Sequence, residues 1–175
     1  VQTCALPICK YTELKDAYKS IIEAFVHAGV DNDARVELTW IESDNLDTSR
    51  LAEYFNDIHG LLIPGGFGDR GIEGKIAAIQ YARTHSVPFL GICLGLQTAV
   101  IEFARHECGL EDAHSTEFNP DTPHPVIDLM ETQIDVTDMG GTMRLGAWEC
   151  QLSKGTKAHK AYGKLNISER HRHRY

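Results

Sequence analysis

The stretch Gly91-Ile92-Cys93-Leu94-Gly95 decides the predicted fold, because it joins an apolar run at residues 87–92 to a segment with helical periodicity at residues 96–106. A thiol between a strand and a helix lies in the positive field of the helix N-terminus, which favours the thiolate form. Flanking glycines leave room for a sharp turn that pushes the side chain outward. A lone cysteine beside a loop glycine is more often a buried packing residue. Here the glycine spacing and the preceding strand favour a nucleophile.

Apolar runs and helical segments alternate on the N-terminal side of this turn. The predicted strands are residues 36–40, 61–63 and 87–92, and the predicted helices are residues 14–28, 71–83 and 96–106, with a loop and short helix at residues 44–56. Gly29 is the expected stop of the first helix. The continuous apolar runs at 61–63 and 87–92 are typical of strands buried on both faces. We therefore predict an α/β fold with a mostly parallel central sheet and helices on both faces.

A candidate site follows from this sheet. In open parallel sheets, ligands bind outside the carboxyl ends of the strands. Gly65-Gly66 and Cys93 each follow a predicted strand at that edge, so we expect them to line one pocket. The glycine pair alone fits an ordinary turn about equally well. A phosphate-binding loop is disfavoured, because the Lys-Ser/Thr ending of Walker-type loops is absent.

The sequence changes character beyond Cys108-Gly109, where a turn-rich connection at residues 119–125 leads into shorter elements. The predicted strands are residues 126–129, 133–136, 143–145 and 148–152, followed by a helix at 156–162 and an extended stretch at 165–175. No internal repeat, low-complexity segment or second domain is evident. We expect residues 9–175 to form one domain.

Composition limits the functional classes. The 175 residues are 42% hydrophobic and 24% charged, which is typical of a soluble globular domain. A net charge of -8 disfavours general nucleic-acid binding, and no apolar stretch approaches the roughly 20 residues that span a bilayer. Five cysteines without a C-x-x-C pair indicate neither a zinc site nor a disulfide framework. We expect a cytoplasmic protein with no metal, nucleic-acid or membrane partner.

Residues 91–97 resemble the nucleophile motif of class I glutamine amidotransferases, the domains that hydrolyse glutamine to supply ammonia. Four other segments narrow the resemblance to the glutaminase domain of the CTP synthase family. These segments are residues 64–68, 115–118, 140–146 and 169–175. The similarity extends from Lys10 to Tyr175, and it implies a flavodoxin-like amidotransferase fold.

The resemblance implies a set of site residues. Cys93 would attack the side-chain amide of L-glutamine and form a thioester. The N–H group of Leu94, at the helix start, is the obvious oxyanion donor, and the resemblance selects Gly66 for the second donor. A pocket for glutamine needs one carboxylate and one guanidinium, which by resemblance are Glu117 and Arg174. The implied glutamine-binding residues are Gly66, Phe67, Leu94, Gln97, Glu117 and Arg174.

The family's general base is a histidine in a His-Pro-Glu motif, and the sequence contains no such motif. His124-Pro125 is followed by Val126 in the turn-rich connection, so it is not a substitute. The sequence stops within the 169–175 motif. We therefore expect a fragment truncated before the base, with little or no activity of its own.

The first residues also look atypical. Residues 1–8 resemble a translated sequencing adapter, and Cys9 stands where the family has a glycine. We predict that residues 1–8 are not native and exclude them from the fold. The alternative is a short native N-terminal strand, which their apolar content permits.

For the parent protein, the resemblance implies an enzyme that uses ATP and Mg²⁺ to convert UTP to CTP with ammonia from glutamine. Its synthetase domain, which in the family lies N-terminal and mediates homotetramer formation, is not in this chain, and we expect no cofactor here. Two alternatives stay open. One is a stand-alone hydrolase of γ-glutamyl bonds, and the other is a catalytically silent module for binding or regulation.

Overall fold

The computed structural model describes residues 1–10, 15–131, 146–171, 173 and 175. The structure comprises two compact units, Val1–Ile127 and Asp128–Tyr175. That residues 9–175 form one domain stays a prediction. The strands predicted at 133–136 and 143–145 lie outside the described residues, as do Leu14, Arg144 and Arg174.

A parallel sheet organises the first unit. Its strands, in spatial order, are β2 (Arg35–Leu38), β1 (Gln2–Cys9), β4 (Gly60–Ile63) and β5 (Phe89–Gly91), and β3 (Ile41–Glu42) pairs with the carboxyl end of β1. Each of these pairings is parallel. The predicted mostly parallel central sheet is confirmed.

The other elements follow in chain order. The helices of the first unit are α1 (Lys19–Asp31), α2 (Leu51–Tyr54), α3 (Ile72–Thr84) and α4 (Leu94–His106), with 3₁₀ turns at Lys15–Tyr18, Ser43–Asn45 and Thr48–Arg50. A separate parallel pair consists of β6 (Ala113–Ser115) and β7 (His124–Ile127). The second unit contains β8 (Gly146–Gln151), α5 (Lys157–Tyr162) and β9 (Asn166–His171), and β8 pairs antiparallel with β9.

Alternate residues of β4 face opposite helical layers. Leu61 and Ile63 belong to a buried cluster with β1 and with the α3 residues Ala78, Ile79 and Ala82. Leu62 instead lines an apolar cavity with Leu90 and with the α1 residues Ile21, Ala24, Phe25 and Ala28. Side chains at successive strand positions point to opposite faces, so helices cover both faces of the sheet, as predicted.

Residues Gln2–Cys9 form the strand between β2 and β4, so their exclusion from the fold was wrong. Leu6 and Ile8 are 0% exposed and lie in the core. The apolar run from Ala5 to Ile8 supplies the side chains that a strand with neighbours on both sides needs. These residues form a strand, as the alternative of a native N-terminal strand required. Their native or non-native origin is not tested by this, and the non-native origin stays a prediction.

Two further expectations need correction. Gly29 lies inside α1 instead of ending it. A Cβ there would lie 2.4 Å from the carbonyl oxygen of Ala34 on the returning chain, so the glycine serves close packing and not helix termination. The strand predicted at residues 87–92 is limited to Phe89–Gly91 and is not buried, since Leu90 and Ile92 are 58% and 42% exposed. Among the described residues β5 pairs with β4 alone, so it lies at the sheet edge.

Two buried lysines lie at the carboxyl edge of the sheet. Lys75 of α3 is 2% exposed, and its Nζ donates to Oγ of Ser43 at 3.2 Å. Burial, and next the nearby ammonium of Lys10, lower the pKa of Lys75 to about 8. The folded chain therefore disfavours the charged form of this side chain.

The variant Lys75→Met tests this burial. Because the folded pKa of Lys75 lies near 8 and its ordinary value is 10.5, the unfolded chain binds more protons between these values, and the unchanged protein gains stability as pH rises through that range. Lys75→Met lacks this gain. The unchanged protein should therefore become more stable relative to Lys75→Met by about 2 kcal/mol between pH 8 and pH 10.5. Urea denaturation across this range in reducing buffer measures it, and a pH-independent difference would contradict the burial.

Candidate active site

Cys93 occupies a strained turn between β5 and α4. Its backbone has φ 55° and ψ -109°, and it is the N-cap residue, directly before Leu94 begins α4. A positive φ in a residue with a side chain costs about 1–3 kcal/mol and persists only where the surrounding structure fixes it. The structure confirms the predicted strand-to-helix elbow, a geometry typical of nucleophiles.

Two glycines let α4 approach the sheet closely enough to hold this turn. A Cβ on Gly95 would lie 2.1 Å from the carbonyl oxygen of Ile63, at the end of β4. A Cβ on Gly91 would lie 2.5 Å from the carbonyl carbon of Gly95. The N–H of Ile92 donates to the same Ile63 oxygen at 2.9 Å. The glycine spacing around Cys93 is therefore a packing requirement of the elbow.

Backbone N–H groups converge at the start of α4. The N–H groups of Leu96 and Gln97 donate to the carbonyl oxygen of Cys93 at 3.0 and 3.1 Å, and that of Gly95 donates to Ile92 at 3.0 Å. Within the part of the chain that the structure describes, no acceptor is found for the N–H of Leu94 or of Gly66. The first N–H groups of a helix have no partner inside the helix, so Leu94 can donate to a ligand.

The loop that follows β4, residues 64–68, lies against the elbow and is called the glycine loop below. A Cβ on Gly65 would lie 3.3 Å from Cβ of Cys93 and 3.8 Å from its Sγ. A Cβ on Gly66 would lie 3.5 Å from Cδ2 of Leu94. Two consecutive residues of the loop therefore contact two consecutive residues of the elbow. The structure brings these four residues together, as expected from their positions at the carboxyl edge of the sheet.

Three other predicted site residues are described. Phe67 is 77% exposed on the glycine loop, and Gln97 is half-buried in the first turn of α4. Glu117 follows β6, and its N–H donates to Oγ of Ser115 at 3.2 Å. Partial burial raises the pKa of the Glu117 carboxyl, and the ammonium of Lys10 acts in the opposite direction. Arg174, the predicted guanidinium of the site, lies outside the described residues.

Lys10 also contacts the glycine loop, although the sequence analysis did not select it as a site residue. It directly follows β1, is 6% exposed, and its Nζ donates to the carbonyl oxygens of Phe67 at 2.6 Å and Gly68 at 2.8 Å. A lysine directly after an apolar run reaches the carboxyl edge of the sheet, where the other candidates lie. That position was the available sequence signal.

None of the five cysteines, all of them described by the structure, forms a disulfide bond. Among residues 1–10, 15–131, 146–171, 173 and 175, no group of three or more His, Cys, Asp or Glu side chains is placed to hold a metal ion. No helix in these ranges combines the length and the apolar character needed to cross a membrane.

The sequence model of the family described as "Glutamine amidotransferase class-I" matches residues 13–175, which include the elbow and the glycine loop. The chain belongs to this family. It is 59% identical over 166 residues to the CTP synthase of Geobacter sulfurreducens and 58% identical over 166 residues to that of Thermus thermophilus. Each comparison covers 95% of this chain but only 31% and 30%, respectively, of the relative's length.

A solved structure is also similar to this chain. The Trypanosoma brucei CTPS glutaminase domain with bound acivicin matches with a TM-score of 0.87 and 35% sequence identity. The match covers 99% of this chain and 67% of that chain. The predicted class I amidotransferase fold is thus confirmed.

Replacing Gly95 by Ala tests the packing of the elbow. The added Cβ would meet the Ile63 carbonyl oxygen, a backbone atom, at 2.1 Å, so α4 or β4 must shift. We therefore expect the unfolding free energy to fall by about 3 kcal/mol. The matched control is Gly66→Ala, where the Cβ makes an ordinary contact of 3.5 Å with a flexible side chain and should cost less than about 1 kcal/mol. Urea denaturation measures both variants, and equal stability of the two would refute the packing argument.

Proposed function

We propose that this chain is the glutaminase domain of a CTP synthase and that Cys93 is its nucleophile. The observation that supports the proposal best is the strained elbow, where Cys93 at φ 55° precedes a helix and lies against the glycine loop. A strained residue with a reactive side chain at a helix N-terminus is costly to maintain without a function. Membership of the amidotransferase family supports L-glutamine as the substrate.

The proposed reaction forms and breaks bonds at the side-chain amide carbon of glutamine. The Cys93 thiolate adds to this carbon, and the carbonyl oxygen becomes an oxyanion. The N–H groups of Leu94 and Gly66 donate to that oxyanion. Collapse of the tetrahedral intermediate, with a proton delivered to the leaving nitrogen, releases ammonia and leaves a γ-glutamyl thioester. Water then hydrolyses the thioester to glutamate and restores the thiol.

The proposed pocket recognises the two charged groups on the α-carbon of glutamine. Glu117 would bind the ammonium, and Arg174 would bind the carboxylate, because a guanidinium and a carboxylate form paired hydrogen bonds. Phe67 and Gln97 would line the pocket between the loop and the first turn of α4. An ammonium beside Glu117 would favour its ionised form and oppose the effect of burial on its pKa.

For the whole protein, we propose that the ammonia passes to a synthetase domain that converts UTP to CTP with ATP and Mg²⁺, in a homotetramer located in the cytoplasm. The support is the name and the length of the relatives, which are CTP synthases about three times as long as this chain. The nucleotide and the metal ion would bind in the synthetase domain, and no step in the present chain involves them.

We also propose that the 175 residues alone turn over glutamine slowly. They contain no His-Pro-Glu motif, so the leaving nitrogen lacks the family's proton donor and the attacking water lacks its base. Loss of a triad member lowers kcat by several orders of magnitude while binding and oxyanion stabilisation persist.

Ammonia release from glutamine tests the proposal, with the chain compared alone and fused to a C-terminal segment that carries the His-Pro-Glu motif. We expect the extended chain to be at least about 10³-fold faster, because the motif restores proton transfer. Cys93→Ala in the extended chain is the matched control and should abolish release. Equal rates with and without the extension would overturn the low activity of the chain, and ammonia release by the Cys93→Ala variant would overturn the assignment of the nucleophile.

A further inference from the structure

The ammonium of Lys10 is hydrogen-bonded to the backbone of the glycine loop. Its Nζ donates to two consecutive carbonyl oxygens of the loop, those of Phe67 at 2.6 Å and Gly68 at 2.8 Å. Gly68 has a φ of 75°, and a Cβ at this position would lie 3.6 Å from the same Nζ. The loop thus folds around the lysine, and two of its peptide planes have their carbonyl oxygens directed at one cation.

The orientation of these carbonyl groups restricts the rest of the loop. Gly65 and Gly66 lack side chains, so packing fixes their peptide planes less than at other residues. Gly66 contacts Leu94, and its N–H has no acceptor among the described residues. A loop of this kind needs an external constraint to keep an N–H group aimed at a ligand, and the pair of hydrogen bonds from Lys10 to the next two residues supplies one.

We propose that Lys10 is a positioning residue for oxyanion stabilisation: its two hydrogen bonds to the loop keep the N–H of Gly66 directed at the oxygen of the substrate bound to Cys93. This inference rests on the proposed glutaminase function. Lys10 itself contacts neither the thiol nor the substrate in this proposal, and it acts through the backbone of the loop.

The energetics favour a role of this kind over incidental burial. Lys10 is 6% exposed, and burial lowers its pKa, while Asp44 and, more weakly, Asp69 and Glu117 oppose that effect and Arg70 adds to it. A buried ammonium is costly unless it is well hydrogen-bonded, and charge-assisted hydrogen bonds are about twice as strong as neutral ones. The side chain therefore remains buried only while the loop presents both carbonyl groups, so burial and loop conformation depend on each other.

The test uses a ligand whose affinity depends on the oxyanion donors. The γ-aldehyde analogue of glutamine, glutamate γ-semialdehyde, adds a thiolate reversibly, and its oxygen then occupies the oxyanion position. Alkylation of Cys93 by iodoacetamide also requires the thiolate but does not place an oxygen there. Comparing the aldehyde Kd with the alkylation rate separates oxyanion stabilisation from thiol reactivity in the chain itself, without requiring turnover.

In Lys10→Met we expect the aldehyde Kd to rise at least about tenfold, as for partial loss of an oxyanion donor, while the alkylation rate at Cys93 changes less than about twofold. Lys10→Arg, which keeps a buried cation with several donors, should recover part of the affinity. Lys75→Met is the matched control, because Lys75 is equally buried but donates to Ser43 instead of the loop. It should leave both quantities unchanged.

An unchanged aldehyde Kd in Lys10→Met would overturn the inference and leave the proposed function standing. An equal loss of aldehyde affinity in Lys75→Met would do the same, because it would indicate a general packing effect. Failure of the unchanged chain to bind the aldehyde would overturn the proposed function and the inference with it. If Lys10→Met does not fold, Gly68→Ala perturbs the other end of the same contact at an exposed position with φ 75°. It should raise the aldehyde Kd with the alkylation rate retained, and an unchanged Kd there would overturn the inference.

Discussion

The contact between the first turn of α4 and the end of β4 determines the geometry of the site. Gly95 lies so close to the Ile63 carbonyl group that a Cβ would meet its oxygen at 2.1 Å. With α4 held there, the chain leaving β5 must reverse within two residues. This reversal forces Cys93 into a strained backbone conformation with a positive φ. The same approach brings the loop after β4 against the thiol. One backbone contact thus sets the positions of the nucleophile, of the N–H of Leu94 at the helix start and of the nearby loop.

The sequence predicted the central elements correctly, because their signals are local. Helical periodicity and the glycines around Cys93 located α4 and the elbow, and the apolar run before Pro64 located β4. Strands β3 and β6 have two and three residues, too few for a periodic pattern. The exposure of β5 depends on which strands pair with it, and those strands are distant in the sequence. Gly29 packs against Ala34, just after the helix, where the turn geometry leaves no periodic signal. Strand β1 was missed because residues 1–8 resemble a translated adapter, although their apolar content, which a central strand needs, pointed to a strand.

Most residues of the candidate site were predictable from the sequence, but the hydrogen bonds that connect Lys10 to them were not. The motif around Cys93, the glycine pair and Glu117 are visible in the sequence, and the sheet topology explains why the first two meet. Lys10 was missed because the apolar run before it was excluded from the fold, which removed the positional signal. Its hydrogen bonds to a loop more than 50 residues away leave no sequence pattern of their own. Its charge also links the loop to Glu117, where it opposes the effect of burial on the carboxyl pKa.

The measurement that tests the central claim most directly is the intact mass of the chain after treatment with a diazo-ketone analogue of glutamine. We predict a single modification at Cys93, prevented by excess glutamine and absent in Cys93→Ala, although four other free thiols are present. That result would show an assembled glutamine pocket with a reactive thiolate. No modification, or modification shared with exposed thiols such as Cys108 and Cys150 and insensitive to glutamine, would contradict it.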